Sequence, residues 1–318
     1  MSATTLRVLD VRRNKLSGTI NDTFPGNCGL QTLNLNGNLL EGVVPRSLAN
    51  CTNLEVFDIG NNHIKDAFPC YLSNISRLRV LVLRSNKFHG AIGCKGPNAT
   101  WPMLQIVDLA SNSFTGQLPR ESLSAWKAMM DETPSKLSYL KFDILEFNPF
   151  YYHDAITVTF KGLDIELVKI LTIFILVDVS NNNLDGPIPK ELGELKSLLV
   201  LNLSHNAFIG HIPQSLGNLT MLESLDLSSY KLTGEIPWQL ADGLIFLSVL
   251  NLSFNQLVGQ IPLIKQFSTF SNDSYEGNKG LCGVPLKTKC IFAPSPTFKE
   301  NSFEFWDWRN AFEFWDCD

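Results

Sequence analysis

The chain has 318 residues, a formal net charge of −5 and 44% apolar residues. This acidic balance, together with the lack of Lys/Arg-rich runs, excludes the basic surface that attracts nucleic acid. The longest apolar run, ILTIFILV at 170–177, is well short of the ~18 apolar residues that a membrane span needs. We therefore expect no nucleic-acid partner. We predict that this run forms a buried strand and the segment that leads into it.

One stretch, LLVLNLSHNAFIGHIP at 198–213, contains the pattern that the rest of the chain repeats. Leu201 and Leu203 alternate with polar residues, as in a short strand with one buried face. Asn206 follows this strand, where its amide can bond to backbone groups that the turn leaves unpaired. One such unit cannot bury its own apolar side, so several copies must stack.

Copies recur at a nearly constant spacing. Their middle apolar residues are Leu9, Leu33, Phe57, Leu81, Val107, Val177, Leu201, Leu225 and Leu250. The asparagine recurs in phase at Asn14, Asn38, Asn62, Asn86, Asn112, Asn182, Asn206 and Asn255, and Tyr230 replaces it once. This is the leucine-rich-repeat pattern LxxLxLxxNxLxGxIP. It predicts an α/β-repeat fold: a right-handed, curved leucine-rich-repeat solenoid with a parallel sheet on its concave face and one island insertion.

The spacing divides the chain into segments. Most copies are 24 to 26 residues apart, but the step to Val177 is 70 residues, which equals one repeat plus an insert of about 46. The predicted segments are leucine-rich repeats at 1–119, an island insertion at 120–170, four further repeats at 171–262, a cysteine-paired cap at 263–290 and an acidic, aromatic tail at 291–318. We expect this tail, which contains FEFWD twice, not to fold.

The predicted island has a composition of its own. Trp126–Met130 has the pattern of a short helix, and Ala155–Phe160 alternates like a strand. It is rich in aromatic residues, namely Tyr139, Phe142, Phe147, Phe150, Tyr151 and Tyr152. A structured insertion at one point of a solenoid is more often a binding element than a spacer. The alternative is that these aromatics close a small core of the insert itself.

Two pairs of cysteines lie in the first repeats. Cys70 and Cys94 each follow the middle apolar residue of their repeat by 13 positions. Equivalent positions in adjacent coils are roughly 5 Å apart, within the range that a disulfide accepts. We therefore predict a Cys70–Cys94 bridge, the alternative being two buried thiols. Cys28 and Cys51 differ in phase by one residue, and we predict that they are core thiols.

Cys282 and Cys290 close a short loop near the end of the array. This spacing favours a disulfide-pinned cap over a zinc site, which would need further ligands. The five histidines are scattered, and no GxSxG, HExxH or GxxxxGK motif is present. The sequence therefore predicts no catalytic residues, no metal, no small-molecule cofactor and no enzyme.

Sequons for N-glycosylation are frequent. They lie at Asn21, Asn50, Asn74, Asn98, Asn202, Asn218, Asn251 and Asn272. A glycan forms at such a site only in a chain that enters the secretory route. The N-terminus begins within a repeat, without the apolar region of a secretory signal and without a polar capping unit. We expect that the chain is shortened at its front.

Strand residues that point away from the core form the best partner surface of this fold, because a parallel sheet presents them in rows. The candidate ligand-binding residues are Arg84, Asp108, Asp178, Asn202 and Asp226 on the sheet, with Tyr151 and Tyr152 on the island. We expect the aspartates to be solvated surface groups rather than an acid/base pair.

The LxGxIP repeats, the single island, the four repeats after it and the GNKGLCGVPL cap resemble plant leucine-rich-repeat receptor-like proteins. Stretches such as WPMLQIVDLASNSFTGQLP and YYHDAITVTFKGLDIELVKIL are similar to the Verticillium wilt-resistance group of that family. The resemblance covers roughly residues 5–290. It implies a non-kinase cell-surface receptor in plant defence, at the extracellular face of the plasma membrane.

The resemblance also implies partners. Such a receptor recognises a peptide or protein ligand and signals through co-receptor and adaptor receptor kinases, with the repeats at 171–262 expected to meet the co-receptor. This chain lacks the family's signal peptide and membrane span, so we expect truncation at both ends. One alternative is a soluble leucine-rich-repeat inhibitor of a secreted cell-wall-degrading enzyme, a class whose arrays lack an island. Another is a truncated, non-signalling product.

Overall fold

The computed structural model describes residues 5–94, 100–130, 154–160, 162–171, 173–229 and 231–290. Within these residues, each repeat starts with a three-residue strand centred on its middle apolar residue. These strands form a nine-stranded parallel sheet in the order β1 (Val8–Asp10), β3 (Thr32–Asn34), β5 (Val56–Asp58), β7 (Val80–Val82), β9 (Ile106–Asp108), β13 (Leu176–Asp178), β15 (Val200–Asn202), β17 (Ser224–Asp226) and β19 (Val249–Asn251). The leucine-rich-repeat solenoid predicted from the sequence is confirmed.

Shorter strands run along a second side of each coil. One parallel sheet contains β2 (Ser17–Thr19), β4 (Leu39–Gly42) and β6 (His63–Ile64). Another contains β8 (His89–Gly90), β10 (Ser113–Gly116), β14 (Asn183–Pro187), β16 (Ala207–His211), β18 (Lys231–Gly234), β20 (Gln256–Gln260) and β21 (Gly280–Cys282). The glycine of the LxGxIP motif is required here because it takes a positive φ, as at Gly210 with φ 83°.

Short helices close the outer side of the coils. They are the α-helices α1 (Arg120–Leu123) and α2 (Trp238–Gly243) and the 3₁₀ helices Arg46–Asn50, Cys70–Asn74, Lys127–Met129, Lys190–Glu194, Gln214–Asn218, Lys265–Thr269 and Asn272–Tyr275. The proline of the repeat motif precedes several of them, because its fixed φ suits a helix start where no backbone donor is needed. No described helix combines the length and apolarity that crossing a membrane requires.

The repeated asparagine bonds one coil to the next. Asn206 donates from Nδ2 to the carbonyl oxygens of Leu203 in its own coil, at 2.9 Å, and Val179 in the preceding coil, at 2.9 Å. Its Oδ1 accepts the backbone N–H of Leu184 at 3.0 Å. One side chain therefore pairs three backbone groups of two coils. The predicted exception, Tyr230, lies outside the described residues.

The cap also contains such an asparagine, Asn278, which the sequence analysis did not identify. Asn278 donates to the carbonyl oxygens of Tyr275 and Leu252, both at 2.9 Å, and accepts the N–H of Leu257 at 3.1 Å. The segment NKGLCGVP at 278–285 has the asparagine, leucine, glycine and proline of a repeat, with one extra residue after the asparagine. The cap is therefore a partial coil that pairs with β20 through β21.

The first part of the predicted island belongs to the solenoid. Leu123, Trp126 and Met129 are buried in the same apolar core as the repeats. The backbone N–H of Ser197 also donates to the carbonyl of Met129 at 3.0 Å. Residues 120–129 thus belong to the solenoid, on the outer side of the preceding coil.

Three disulfides join described cysteines. Cys70 pairs with Cys94, with a Cα–Cα distance of 5.3 Å, and Cys282 pairs with Cys290. Cys28 also pairs with Cys51, at a Cα–Cα distance of 4.6 Å, so the prediction of two core thiols was wrong.

The reason for this error is local. Cys28 closes a turn onto Pro25, whereas Cys51 ends a regular 3₁₀ helix and bonds to Leu48. The first coil has an irregular outer turn, and this turn absorbs the one-residue difference in phase. Counting from the strand therefore does not give the relative positions of the two cysteines.

Replacing Asn206 by alanine should strongly destabilise the solenoid. The Leu203 carbonyl and the Leu184 N–H lose this partner, whereas the Val179 carbonyl keeps its bond from Asn182. Each buried group left unpaired costs about 1–3 kcal/mol, so we expect a loss of about 2 kcal/mol or more, measured by urea unfolding. Asn218→Ala is the matched control, because Asn218 is an exposed asparagine in the same coil. Equal stability of the two variants would contradict this assignment of the amide.

The double substitution Cys28→Ser/Cys51→Ser tests the first bridge. Its loss should lower the unfolding free energy by about 2–4 kcal/mol, because a loop of this size is no longer closed in the unfolded chain. Peptide mapping without reduction should recover Cys28 and Cys51 in one cross-linked peptide. Two free thiols at these positions would refute the pairing.

Candidate functional site

The described part of the island forms a β-hairpin. Its strands are β11 (Ile156–Phe160) and β12 (Leu163–Leu167), and they pair antiparallel with Ile156 opposite Leu167 and Val158 opposite Ile165. The alternation ITVTF places isoleucine and valine on one face and threonines on the other. The hairpin thus has one apolar face.

This apolar face lies on the concave sheet. Ile156 and Val158 are buried together with Ile170, and all three pack in one cluster with strand residues of the solenoid. Those strand residues are Val56, Val80, Val82, Ile106, Leu176 and Val200. The hairpin therefore covers the concave side of several consecutive coils.

The strand residues on which the hairpin packs have a pattern that is visible in the sequence. Most of these strand residues immediately precede the middle apolar residue of a repeat, a position that points away from the solenoid core. In the coils that flank the cluster the same position is polar, with Thr32 in β3 and Ser224 in β17, whereas the outermost coils have Val8 and Val249. A run of apolar residues at this outward position was the signal, missed by our sequence analysis, that something covers the sheet.

Polar contacts tie the hairpin to the first coils. Arg12 donates from Nη1 to the carbonyl oxygen of Ala155 at 2.7 Å. Arg12 and Arg13 both form ion pairs with Glu166, at 3.3 and 3.1 Å. Thr32 donates to Oδ1 of Asp154 at 2.8 Å. These contacts join residues that are more than 100 positions apart in the chain.

The hairpin corrects our predicted ligand surface. Asp108 and Asp178 have an exposed fraction of 0%, and the Arg84 side chain is 12% exposed. The expectation that these aspartates are solvated surface groups was wrong, because the island folds over the strands that carry them. Tyr151 and Tyr152 lie outside the described residues.

Burial raises the pKa of three aspartates on the concave strands. Asp108 and Asp178 are directly opposite each other on β9 and β13, and Nη1 of Arg84 is 3.3 Å from Oδ2 of Asp108. Desolvation, with the neighbouring Asp178, raises the pKa of Asp108 to about 8. Desolvation also raises the pKa of Asp178, and that of Asp58 to about 6.

Beyond the hairpin, the last coils leave a concave strip open. We define the open strip by Asn202, Asp226 and Asn251, which occupy the same position on β15, β17 and β19 and are half-buried. Asn251 donates from Nδ2 to Oδ2 of Asp226 at 3.1 Å. The strip offers carboxylate and amide groups to a partner. The described residues contain no cluster of three or more His, Cys, Asp or Glu that could hold a metal ion.

Comparison with known proteins identifies the repeats. Two family models described as leucine-rich repeat match residues 4–64 and 30–88, and 175–195 and 197–219. Over 207 residues the chain is 44% identical to Receptor like protein 27 of Arabidopsis thaliana, covering 65% of this chain and 25% of that protein. Over 107 residues it is 46% identical to Receptor-like protein 53 of the same plant, covering 32% of this chain and 11% of that protein.

The chain contains leucine-rich repeats and is homologous to plant leucine-rich-repeat receptor-like proteins. It spans about a tenth to a quarter of the length of these two relatives. Among solved structures it is similar to the Arabidopsis receptor kinase HAESA in complex with the peptide hormone IDA and the co-receptor SERK1. The TM-score is 0.57 at 26% identity, over 87% of this chain and 42% of that one. The narrower resemblance to the Verticillium wilt-resistance group stays a prediction.

The described sequons of this chain fall into two structural groups. Exposed asparagines lie in loops and outer helices, namely Asn21, Asn50, Asn74, Asn218 and Asn272. Asn202 and Asn251 instead lie on concave strands, where their amides bond to the carboxylates of Asp178 and Asp226. Asn98 lies outside the described residues. Glycosylation of any of them stays a prediction.

Replacing Ile156 by alanine should loosen the hairpin. Truncating a fully buried isoleucine costs about 2–5 kcal/mol, and hydrogen exchange should show this as faster exchange of the hairpin amides with the solenoid strands unchanged. Leu163→Ala is the matched control, because Leu163 is 68% exposed in the same hairpin, and it should change stability by less than about 0.5 kcal/mol. Equal exchange in the two variants would mean that the hairpin is not held by its apolar face.

Proposed function

We propose that the chain is part of a non-kinase, cell-surface receptor-like protein that recognises a peptide or protein ligand in plant defence and signals through partner receptor kinases. The observation that carries this proposal is its 44% identity to Receptor like protein 27 over 207 residues, which is 65% of this chain. The HAESA structure supports it, because that related solenoid holds a peptide hormone and a co-receptor. By the same relationship, we place the protein at the extracellular face of the plasma membrane.

We assign ligand contact to the surfaces that the hairpin leaves accessible. On the solenoid this is the open strip, where Asn202 and Asp226 remain candidate contacts. On the island it is the exposed part of the hairpin and the residue after it, where Leu163 is 68% and Val168 66% exposed. These groups suit a peptide or protein surface better than a small molecule, because they form a broad face rather than an enclosed pocket.

We assign the co-receptor to the repeats at 171–262. Exposed apolar side chains lie close together there: Met221 and Phe246 occupy the same position in adjacent coils, and Ile245 precedes Phe246. Phe246 is 56% exposed. Exposed aromatic and Met side chains are enriched in the centres of protein interfaces.

A soluble inhibitor of a cell-wall-degrading enzyme is less well supported. An uninterrupted array would present its whole concave face to such an enzyme. Here the hairpin occupies a large part of that face, with Ile156 and Val158 buried against the strands. The island is therefore better explained as part of a receptor.

Binding of a co-receptor ectodomain tests the proposal. We expect Phe246→Glu to weaken binding of the SERK1 ectodomain at least tenfold, because it places a charge in the apolar contact. Val43→Glu is the matched control: Val43 is 57% exposed in an early coil and should bind like the wild type. The protein is co-precipitated from plant tissue with this ectodomain, with and without a defence-eliciting extract. Equal loss of binding in both variants, or none in either, would refute the assigned surface.

A further inference from the structure

We propose that the seating of the β11–β12 hairpin is linked to protons held on three aspartates beneath it, so that the hairpin is firmly seated at acid pH and loosens as the pH rises. The three residues are Asp58, Asp108 and Asp178. If seating of the hairpin controls access to the ligand-binding surface, that role rests on the proposed function. The physical basis of the linkage, the covering of an acidic row by a hairpin, does not depend on which ligand the receptor binds.

The three aspartates form one row under the hairpin. Each follows the middle apolar residue of its strand, on β5, β9 and β13. Strand pairing aligns Asp58 with Val82, Val82 with Asp108, and Asp108 with Asp178. Val82 is part of the apolar cluster that holds Ile156, and the three carboxyl groups are at most 1% exposed. The row is thus enclosed between sheet and cover.

In the part of the chain that the structure describes, the positive charges that act on this row are those of Arg84 and Arg12. Arg84 lies among the three aspartates and forms its ion pair with Asp108. The positive charge of Arg12 lowers the pKa of Asp58, but Arg12 is also paired with Asp10 and with Glu166 of the hairpin. Three carboxylates facing one buried guanidinium cannot all stay ionised, because a buried charge without a counter-charge is strongly disfavoured.

Among the described residues of the cover, the charged groups that contact the first coils are acidic. The cover's described charged side chains include Asp154, which accepts from Thr32, Glu166, which pairs with the two arginines of the first coil, and the exposed Lys169. None of these contacts neutralises the aspartates beneath. Protonation of these aspartates therefore removes their negative charge while the hairpin is seated.

Neutral donors compensate the row only in part. Asn36 donates to both carboxylate oxygens of Asp58, at 2.9 and 3.2 Å, and Asp178 accepts from Asn202 at 3.2 Å. Desolvation nevertheless dominates, and the pKa of Asp58 rises to about 6 and that of Asp108 to about 8.

These raised pKa values set the direction of the effect. An exposed aspartate has a pKa near 3.9, so between about pH 4 and pH 8 the seated state holds protons that the released state has lost. Seating is therefore strongest near or below about pH 4 and weakens as the pH rises through the pKa values of the covered groups.

Hydrogen exchange of the full chain between about pH 5 and pH 8 tests this inference. After correction for intrinsic exchange rates, protection of the hairpin amides relative to the β19 amides should fall about tenfold per pH unit for each proton lost on release. Asp108→Asn keeps the size of the protonated side chain but cannot titrate, so the slope should become shallower. Asp226→Asn is the matched control, because Asp226 lies at the same strand position outside the hairpin cluster.

A wild-type ratio that does not change with pH would overturn the inference, as would an equal slope in Asp108→Asn and Asp226→Asn. Asp58→Asn provides a second test of the row, and circular dichroism checks that each variant folds. The measurement uses no ligand and no co-receptor. If the co-receptor does not bind but the relative protection of the hairpin amides changes with pH, the result counts against the receptor assignment alone. If the relative protection does not change with pH, the result counts against the proton linkage alone.

Discussion

Every coil of this protein depends on its neighbours to cover its apolar residues. A three-residue strand and a short helix bury little by themselves, so the leucines of one repeat become buried only when the next repeat stacks on them. The inward asparagine makes this stacking specific. Asn206 holds the backbone of two coils at once, and its counterparts do the same along the array. The flat row of strands that results is the scaffold for everything else in the molecule.

The hairpin uses this scaffold in a second way. A solenoid normally presents its concave strands to solvent, but here apolar residues such as Val80 and Ile106 point outwards and receive Ile156 and Val158. The same packing encloses Asp108 and Asp178 next to Arg84. A surface that would suit a polar ligand thereby becomes a second core, and the central strands of the sheet are no longer accessible. The insert therefore changes which residues of the repeats are accessible, as well as adding residues of its own.

Periodicity predicted the architecture well because it depends on local chemistry. The middle apolar residues, the asparagines and the 24-residue step are each visible within one repeat, and Asn278 shows that the cap obeys a variant of the same pattern. The errors arose where the outcome depends on packing. Cys28 and Cys51 pair because an irregular outer turn shifts one of them. Asp108 was assigned to the surface because its repeat, taken alone, leaves that position open.

The sequence by itself determined the repeat fold, its concave strands and its likeness to plant leucine-rich-repeat receptor-like proteins, since all of these follow from residue types at fixed short spacings. Only the tertiary structure decided which concave residues are accessible. Glu166 meets Arg12 and Ala155 meets Asn34 across more than 100 residues of chain, and no periodic pattern specifies such a contact. Where the hairpin comes to rest is set by the combined apolar surface of several coils, a property that exists only after they have stacked.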